Sequence, residues 1–427
     1  MRALIMAAVA VLGASALVAV ASATWESGDD SGGAARLCHF GREHLVREAD
    51  GVVVDGVAVD VDRARGPARA LVGAWSEHSG LYAQALTGDG RAIGAPARLG
   101  PRCSGGIALD VRDRSAYVAC VERGNEARAA SGAVVIHRVA IDRESGAVVA
   151  PSDTIDVGPA GRDSAGVDVL AARGRVVVAW HDGAIGAHRV LRAELDDDGR
   201  TMRLRAPARV VSSRSIAAGP PALLAHGGEV LTAWEEVELD AHDRLAGRVM
   251  IARDGGDPRA VAAVTSPDAR PVLAELAGDL VLALVDVRGG RRAALYVSRL
   301  VSRRGRGSMY AESEPRRLGR AGARTSAVEC GGALALSSPR KYGRRERVVS
   351  LYRVDRSLAR IGGEQQIYEV GVEPTHAALT CPGEGATTLA LFAERATPRH
   401  PNARLRTLSF GCGHAGKRTF DSVARPR

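Results

Sequence analysis

Lysine is nearly absent from this sequence, and aromatic residues are scarce. Lys341 and Lys417 are the only lysines among 58 basic residues, and aromatic residues make up 4% of the 427 positions. Because 46% of the residues are apolar, the core must consist mainly of alanine, valine and leucine, with each tryptophan a rare bulky anchor. Codon bias in a GC-rich genome also produces arginine in place of lysine, so this ratio indicates no function.

Motifs that carry well-known chemistry are also missing. The sequence has no Gly-x-Ser-x-Gly turn and no phosphate-binding glycine loop. Its histidines, including His181 and His188 on neighbouring strands or their loop, form no metal-ligand set with cysteines at zinc spacing. The acidic stretch 196–199 lacks the later glutamate of a calcium loop and is interpreted as a hairpin turn. The sequence therefore predicts no metal and no cofactor.

A long apolar run lies within residues 1–23. Its basic start at Arg2 and its small residues Ala21 and Ala23 are typical of a secretory signal peptide cleaved after residue 23, with an uncleaved anchor helix as the alternative. No later apolar stretch approaches about 18 residues, so we expect a mature chain that does not span a membrane. We expect it to be secreted, periplasmic or at the cell surface. Residues 24–37 are predicted to form a flexible leader and residues 414–427 a polar tail.

One strand pattern recurs seven times, and its best example is RVVVAWHD, residues 175–182. Apolar and small residues alternate in it, which is the period of a β-strand. The equivalent positions, separated by 45 to 60 residues, are Trp75, Cys120, Trp180, Trp234, Leu284, Ser337 and Phe392. The variation in spacing is what loops of different length around a constant unit produce.

Each copy has similar neighbours along the chain. An apolar segment such as 57–62 precedes it, one or two segments such as 188–196 follow, and a fourth, weaker strand completes the first six copies. Glycine and aspartate turns separate several of these segments. Four antiparallel strands repeated seven times predict an all-β chain that folds as a seven-bladed β-propeller of four-stranded blades.

The seventh copy ends after its third strand, so the ring needs a strand from elsewhere. Residues 43–51 can supply the missing outer strand, because an unpaired edge strand is a liability. The propeller is therefore predicted over residues 38–413, closed by an N-terminal strand. This closure also predicts a disulfide between Cys38 and Cys412.

The other four cysteines are expected to pair within the aligned blades. Cys103 precedes the inner strand of blade two and Cys120 ends the adjacent strand, while Cys330 and Cys381 hold matching inner-strand positions in blades six and seven. In an exported chain these positions predict the disulfides Cys103–Cys120 and Cys330–Cys381.

The chain resembles the secreted bacterial β-propeller proteins whose blades carry a Val-Ala-Trp-x-Asp strand end, here VAWHD at 178–182, and an Asp-x-Asp-Gly-like turn. The resemblance covers almost all of the mature chain. It implies the blade but no activity, because such propellers serve many unrelated functions. The sequence departs from the sialidases, since it contains no Ser-x-Asp-x-Gly-x-Thr-Trp box.

An acidic residue stands two positions after the tryptophan position in six copies. We call these residues the rim carboxylates: Glu77, Glu122, Asp182, Glu236, Asp286 and Glu394. Because a residue present in nearly every blade serves the blade itself, we interpret them as acceptors for backbone N–H groups. The alternative is that they bind a cation or act as an acid–base pair. The repeated tryptophans are interpreted as wedges between blades, with a carbohydrate-stacking platform as the alternative.

Positive charge is concentrated between Arg288 and Arg347. Sixteen basic and four acidic residues there give a net charge of +12, whereas the whole chain carries +9. Eight of the basic residues are expected side by side in loops after the second strands of blades five and six: Arg288, Arg291, Arg292, Arg340, Lys341, Arg344, Arg345 and Arg347. Such a surface attracts polyanions, and loops that are merely solvated are the alternative.

These observations predict an exported binding or scaffolding module. Its partner would be a protein, glycan or polyanion at the cell envelope, recognised through the basic loops. The alternative is a carbohydrate-active hydrolase or lyase that uses rim carboxylates such as Asp182 and Glu236. An enzyme would place non-repeating polar residues at the mouth of the central channel, whereas a binding module need not.

Overall fold

The computed structural model describes residues 37–413 apart from short internal segments, the longest of which are 63–69, 124–130 and 303–308. The predicted signal peptide (1–23) and the tail (414–427) lie outside the described residues, as does the leader up to residue 36. Every helix or strand element in the described ranges is a β-strand. Among the described residues no helix is long and apolar enough to cross a membrane.

Seven antiparallel sheets, here called blades one to seven, follow one another along the chain. Blade one contains β2 (Gly56–Val61), β3 (Leu71–Glu77), β4 (Gly80–Leu86) and β5 (Ala92–Gly100). Blade two contains β6 (Cys103–Arg112), β7 (Ser115–Arg123), β8 (Ser131–Ile141) and β9 (Val148–Gly161). Blade three contains β10 (Val167–Ala172), β11 (Arg175–Ala184), β12 (Ala187–Asp197) and an outer strand in two pieces, β13 (Met202–Leu204) and β14 (Arg209–Val210).

The remaining blades repeat this order. Blade four has an inner strand in two pieces, β15 (Ala217–Ala218) and β16 (Ala222–His226), then β17 (Glu229–Leu239), β18 (Leu245–Arg253) and β19 (Arg259–Val264). Blade five contains β20 (Val272–Leu276), β21 (Asp279–Asp286), β22 (Ala294–Ser302), β23 (Met309–Ala311) and β24 (Arg316–Arg320). Blade six contains β25 (Ser326–Cys330), β26 (Ala333–Tyr342), β27 (Glu346–Val354) and β28 (Gln365–Ile367). Blade seven contains β29 (Glu373–Thr380), β30 (Thr387–Arg395), β31 (Arg404–Gly413) and, as its fourth strand, β1 (Leu37–Glu48).

The inner strands of successive blades contact one another, and β29 contacts β2, which closes the ring. The chain is therefore a seven-bladed β-propeller of four-stranded antiparallel blades, and the fold prediction is confirmed. The predicted closure is also confirmed, because β1 pairs antiparallel with β31 and covers its edge.

The cysteines follow this architecture. The structure contains both disulfides expected from the alignment: Cys103–Cys120 within blade two, and Cys330–Cys381 between blades six and seven. Cys38 and Cys412 are register partners in the β1–β31 pair. Their side chains lie outside the described atoms, so their disulfide stays a prediction.

The core is divided among the gaps between blades. Among the described residues, eight separate apolar clusters each join two neighbouring blades, including blades seven and one. The second strands are covered on both faces, and every residue of β3 is buried. Trp75, Trp180 and Trp234 are fully buried in three of these clusters. Each fills a gap that alanine would leave as a cavity, at a cost of about 3 to 5 kcal/mol.

Aspartates tie the inner strands of the first four blades together. A carboxylate oxygen of Asp60 accepts the backbone N–H of Val111 in the next blade at 2.8 Å. Asp110 and Asp168 repeat the contact one blade further on, with the N–H groups of Ala171 and Leu223 at 2.5 and 2.6 Å. These bonds fix the height of each inner strand against its neighbour.

Closure by β1 leads to a first prediction. Deletion of residues 37–48 should lower the midpoint of thermal unfolding by several degrees, because it exposes the edge of β31 and removes Arg47, which binds the buried Glu77 at 2.7 Å. Deletion of residues 24–35 is the control and should leave the midpoint nearly unchanged. Equal midpoints for the two truncated proteins would contradict this role of β1.

Candidate functional site

The rim carboxylates lie at the end of the second strands, and three of them bind the exit of the preceding blade. A carboxylate oxygen of Asp182 accepts the N–H of Gly161 at 2.8 Å. Glu236 accepts the N–H of Ser213 at 2.7 Å and also the Ser213 hydroxyl, and Asp286 accepts the N–H of Thr265 at 3.0 Å. These contacts fit the structural interpretation: each carboxylate fastens one blade to the next.

The other rim carboxylates are also bonded to the blade framework. Glu77 accepts the indole N–H of Trp75 at 3.1 Å and pairs with Arg47, and Glu394 pairs with two arginines of β31, Arg404 and Arg406. Glu122 lies 3.3 Å from Nε2 of His137 on its own blade. Glu77, Asp182, Glu236, Asp286 and Glu394 are all buried. Buried charges with this many donors are typical of structural ties.

The three tryptophans cannot form the stacking platform that was the alternative interpretation. Trp75, Trp180 and Trp234 each have 0% relative exposure, so no ring face is open to a sugar. Their indole N–H groups are used internally, since Trp75 and Trp234 donate to Glu77 and Glu236, and Trp180 donates to the carbonyl of Pro159. The wedge interpretation therefore fits the structure.

A second prediction tests the tie at blade four. Glu236→Ala should lower the free energy of unfolding by about 2 to 4 kcal/mol, because the indole N–H of Trp234 and the N–H of Ser213 lose their acceptor in a buried place. Glu238→Ala on the same strand is the control. It removes an exposed ion pair with Arg248 and should change stability by less than about 0.5 kcal/mol in urea unfolding. Similar losses for both variants would argue against the tie.

The position directly after the tryptophan position breaks the repeat in two blades. It is serine, valine or alanine in five blades, but His181 in blade three and Glu235 in blade four. Both side chains are buried, with 4% and 2% relative exposure. Both lie towards the end of the second strand that leads to the third, which we call the mouth face. A residue that departs from the blade pattern is not needed by the blade, so this pair marks a candidate site.

His181 and His188 form a hydrogen-bonded pair on the mouth face. Nε2 of His181 lies 3.1 Å from Nδ1 of His188, and the rings are stacked with their centroids 5.2 Å apart. His181 also bonds to the backbone of Ala218, and this contact raises the pKa of His181. A hydrogen bond that the imidazole donates to a carbonyl has this effect. We therefore assign Nδ1–H of His181 to Ala218, which leaves Nε2 as the acceptor of the Nδ1–H of His188. Nε2 of His188 is then the basic nitrogen.

Glu235 lies on the other side of the same short segment. Its backbone carbonyl accepts the N–H of Gly219, the residue after Ala218. A Cβ atom built on Gly219 would lie 3.5 Å from one carboxylate oxygen of Glu235, and one built on Gly247 would lie 3.2 Å from the other. Two glycines therefore let the backbone approach this carboxylate closely. The adjacent residues Ala218 and Gly219 bond to His181 and to the backbone carbonyl of Glu235, respectively.

The surroundings of His181 shift its protonation. Burial first, and then the nearby His188, lower the pKa of His181 to about 4, although Asp182 acts in the opposite direction. An imidazole with this pKa is neutral over the physiological range. It can therefore accept the His188 N–H without competing for the proton.

This shift gives a third prediction. Between the ordinary pKa of about 6.5 and about 4, the unfolded chain binds a proton at this residue that the folded chain does not. The stability contributed by neutral His181 is therefore present above pH 6.5 and is lost as the pH falls towards 4, by up to about 3 kcal/mol. His181→Gln should flatten the decline of the unfolding free energy over that range, whereas His78→Gln, an exposed histidine on the same face, should keep the wild-type slope. Equal slopes for all three proteins would refute this.

Three of the basic residues that were expected in loops lie in strands instead. Arg340, expected in an exposed loop, lies in β26 and is buried, donating from Nη2 to Glu364 and from Nε to Ser350, both at 2.7 Å. Lys341 and Arg347 are register partners in the β26–β27 hairpin and not loop residues. The hairpin extends beyond its apolar run because the ion pair with Glu364 satisfies the buried guanidinium. Arg292 is exposed, and four residues lie outside the described residues: Arg288, Arg291, Arg344 and Arg345.

A groove of about 610 Å³ lies between the outer strands of blades two and three. It is lined mainly by glycine, valine, proline, alanine and leucine, and Asp156 and Arg205 are its charged residues. This lining offers no set of convergent polar side chains. Among the described residues no group of three or more histidines, cysteines or carboxylates is placed to hold a metal ion.

No protein-family model matches the chain. No curated protein sequence matches it either. Solved structures of similar fold include the α-L-arabinofuranosidase from Lactobacillus brevis, at 12% identity over 58% of this chain and 92% of that chain, with a TM-score of 0.36. The Penicillium chrysogenum α-L-arabinanase complexed with arabinobiose is 13% identical over 70% and 92%, with a TM-score of 0.44. Trypanosoma rangeli sialidase is 11% identical over 76% and 57%, with a TM-score of 0.46. At these identities the likeness shows the fold alone.

These findings correct the functional prediction from the sequence. The expectation of a binding or scaffolding module is corrected: the similar solved structures are named as carbohydrate-active hydrolases, the class of the alternative hypothesis, although the likeness itself shows only the fold. The residues assigned to that alternative also change. Asp182 and Glu236 are engaged in the framework, whereas Glu235 was missed and His188 was set aside. The signal for Glu235 was in the sequence, as a glutamate where five other blades have a small or apolar residue.

Proposed function

We propose that this protein is a carbohydrate-active hydrolase whose acid–base groups lie on the mouth face of blades three and four. The substrate class comes from the similar solved structures, and the residues come from the geometry. The observation that carries the assignment of residues is the His181–His188 pair, held by the backbone of Ala218 on blade four.

His188 is the general base of this proposal. It is half-buried, so its Nε2 can meet a bound water, whereas the ring of His181 is buried behind it. His188 takes a proton from the water whose oxygen attacks the anomeric carbon, and the leaving oxygen takes a proton from the Glu235 carboxyl group. His181 is a positioning residue, because it fixes the tautomer of His188 by accepting its Nδ1–H.

The covalent framework also supports a site of action in an oxidising compartment. Two disulfides in the folded chain support export to an oxidising compartment, as does the predicted signal peptide at residues 1–23. A secreted glycan or cell-envelope polysaccharide is therefore the substrate class that the protein would meet.

A fourth prediction tests the proposal. The purified mature chain should release product from at least one of arabinan, a 4-nitrophenyl α-L-arabinofuranoside or an aryl sialoside. His188→Ala should lower kcat by about 10²- to 10⁴-fold, the usual contribution of a general base. His181→Gln should lower kcat less and displace the acidic limb of the pH–rate profile, because it alters the tautomer of His188. His78→Gln is the matched control and should retain wild-type kcat.

Two results would refute the proposal. One is the absence of hydrolysis across this panel by a protein that is folded by circular dichroism. The other is hydrolysis with wild-type kcat by His188→Ala.

A further inference from the structure

A buried arginine between blades three and four has donors that no described residue satisfies. The side chain of Arg192, in the middle of β12, has 0% exposure, and its Nη2 donates to Glu194 at 2.9 Å. Within the described part of the chain, Nε and Nη1 of Arg192 have no hydrogen-bond partner. Leaving charged donors unsatisfied away from water is costly, so this guanidinium is built to meet an acceptor.

Other arginines surround Arg192. Arg209 is its register partner on β14. Arg175, at the start of β11, lies near Glu194, the carboxylate that Arg192 binds. Burial lowers the pKa of Arg192, and the charges of Arg209 and Arg175 lower it further, while Glu194 and Asp254 act in the opposite direction. The like charges held around a buried guanidinium favour a bound anion.

The carboxylates nearby are already shared. Glu194 lies 2.9 Å from Arg192, 3.7 Å from Arg175 and 4.0 Å from Arg205, and Asp254 lies 3.4 Å from Arg175. Arg205 also pairs with Asp196 at 2.5 Å. Arg192, Arg175 and Arg205 therefore share three carboxylates, and Arg209 gives the cluster an excess of one positive charge. Arg209 donates from Nη2 to a backbone carbonyl, that of Asp254, and to no carboxylate in the described ranges.

Gly255 leaves the space that the Arg209 guanidinium occupies beside Arg192. A Cβ atom built on Gly255 would lie 1.9 Å from Nη2 of Arg209 and 3.0 Å from Nη1 of Arg192, so glycine is needed for the two guanidinium groups to pack against this turn. The φ of Gly255 is +68°, in the left-handed region that favours glycine. The turn that carries it lies at the end of the blade opposite the mouth face, so this place is separate from the His181–His188 pair.

We propose that Arg192 and Arg209, packed against Gly255, form a binding site for a tetrahedral oxyanion, sulfate or phosphate. Such an anion has several acceptor oxygens at one centre, which suits donors that arrive from two guanidinium groups. Its charge balances the excess arginine, and its oxygens receive the unsatisfied N–H groups of Arg192. This inference goes beyond the proposed hydrolase activity and does not depend on it.

A fifth prediction tests the site by binding alone. Sodium sulfate and sodium phosphate, titrated at constant ionic strength against chloride, should give saturable one-site binding by calorimetry and a matching rise in the thermal midpoint. Arg209→Gln should weaken binding by at least about tenfold, since one charge-assisted contact is lost. Arg192→Met should abolish it. Arg203→Gln removes an exposed arginine of neighbouring β13 and should bind as wild type does.

The contradicting outcomes are specific. Equal stabilisation by chloride, or equal affinity of wild type and Arg209→Gln, would overturn the proposal. If Arg192→Met fails to fold, Arg209→Gln decides the question, because its side chain is exposed. A sulfated disaccharide and its desulfated form identify the source of the anion: tighter, Arg192-dependent binding of the sulfated sugar indicates a glycan ester, and affinity equal to that of inorganic sulfate indicates the free ion.

Discussion

Each blade of this propeller can bury its faces only against the next blade, so the fold depends on what ties adjacent blades together. Apolar packing accounts for the surface buried between blades, and the hydrogen bonds of buried carboxylates fix how adjacent blades are aligned. Glu236 accepts hydrogen bonds from Trp234 on its own strand and from Ser213 in the turn that precedes its blade. Asp168 accepts the backbone N–H of Leu223 on the inner strand of the following blade. A carboxylate taken out of water needs several donors to offset its lost hydration, and some of these donors belong to an adjacent blade. In blades three and four such ties hold a blade on both sides.

Because the blade fills these positions with the same kind of residue, the exceptions carry information. His181 and Glu235 replace the small or apolar residue that other blades place behind the tryptophan position, and both remain buried. A buried histidine is tolerated only where its ring nitrogens have partners. Here Ala218 and His188 provide them, and the cost of burial appears as a lowered pKa for His181. The same arrangement that stabilises the neutral ring also directs a basic nitrogen of His188 outward.

The architecture could be predicted from the sequence because each blade repeats the same alternation of apolar residues along its strands. This periodicity gives the number of blades, the inner strands and the strand missing from the last blade. It was not sufficient for the site. Arg340 looked like a loop residue because the apolar run of its strand ends before it, yet the hairpin continues to Tyr342 and Glu364 neutralises the buried charge. Glu364 lies 24 positions away, so no local pattern predicts that pair. Glu235 departs from the repeat, but its neighbour Glu236 follows it, and a recurring carboxylate gives the stronger sequence pattern.

Arg340 and Arg192 are both buried, but the carboxylates available to balance their charges differ. Arg340 is matched by Glu364, whose pKa burial would raise but whose hydrogen bond from Arg340 keeps it below its ordinary value, so the pair stays charged and balanced. Arg192 is equally removed from water, but the carboxylate that it touches is shared with two further arginines, and another arginine lies beside it. A guanidinium in that position adds to the repulsion between β12 and β14 unless negative charge is supplied from outside the chain. The gap between blades three and four is therefore the place where the stability of this propeller should respond most to an anion.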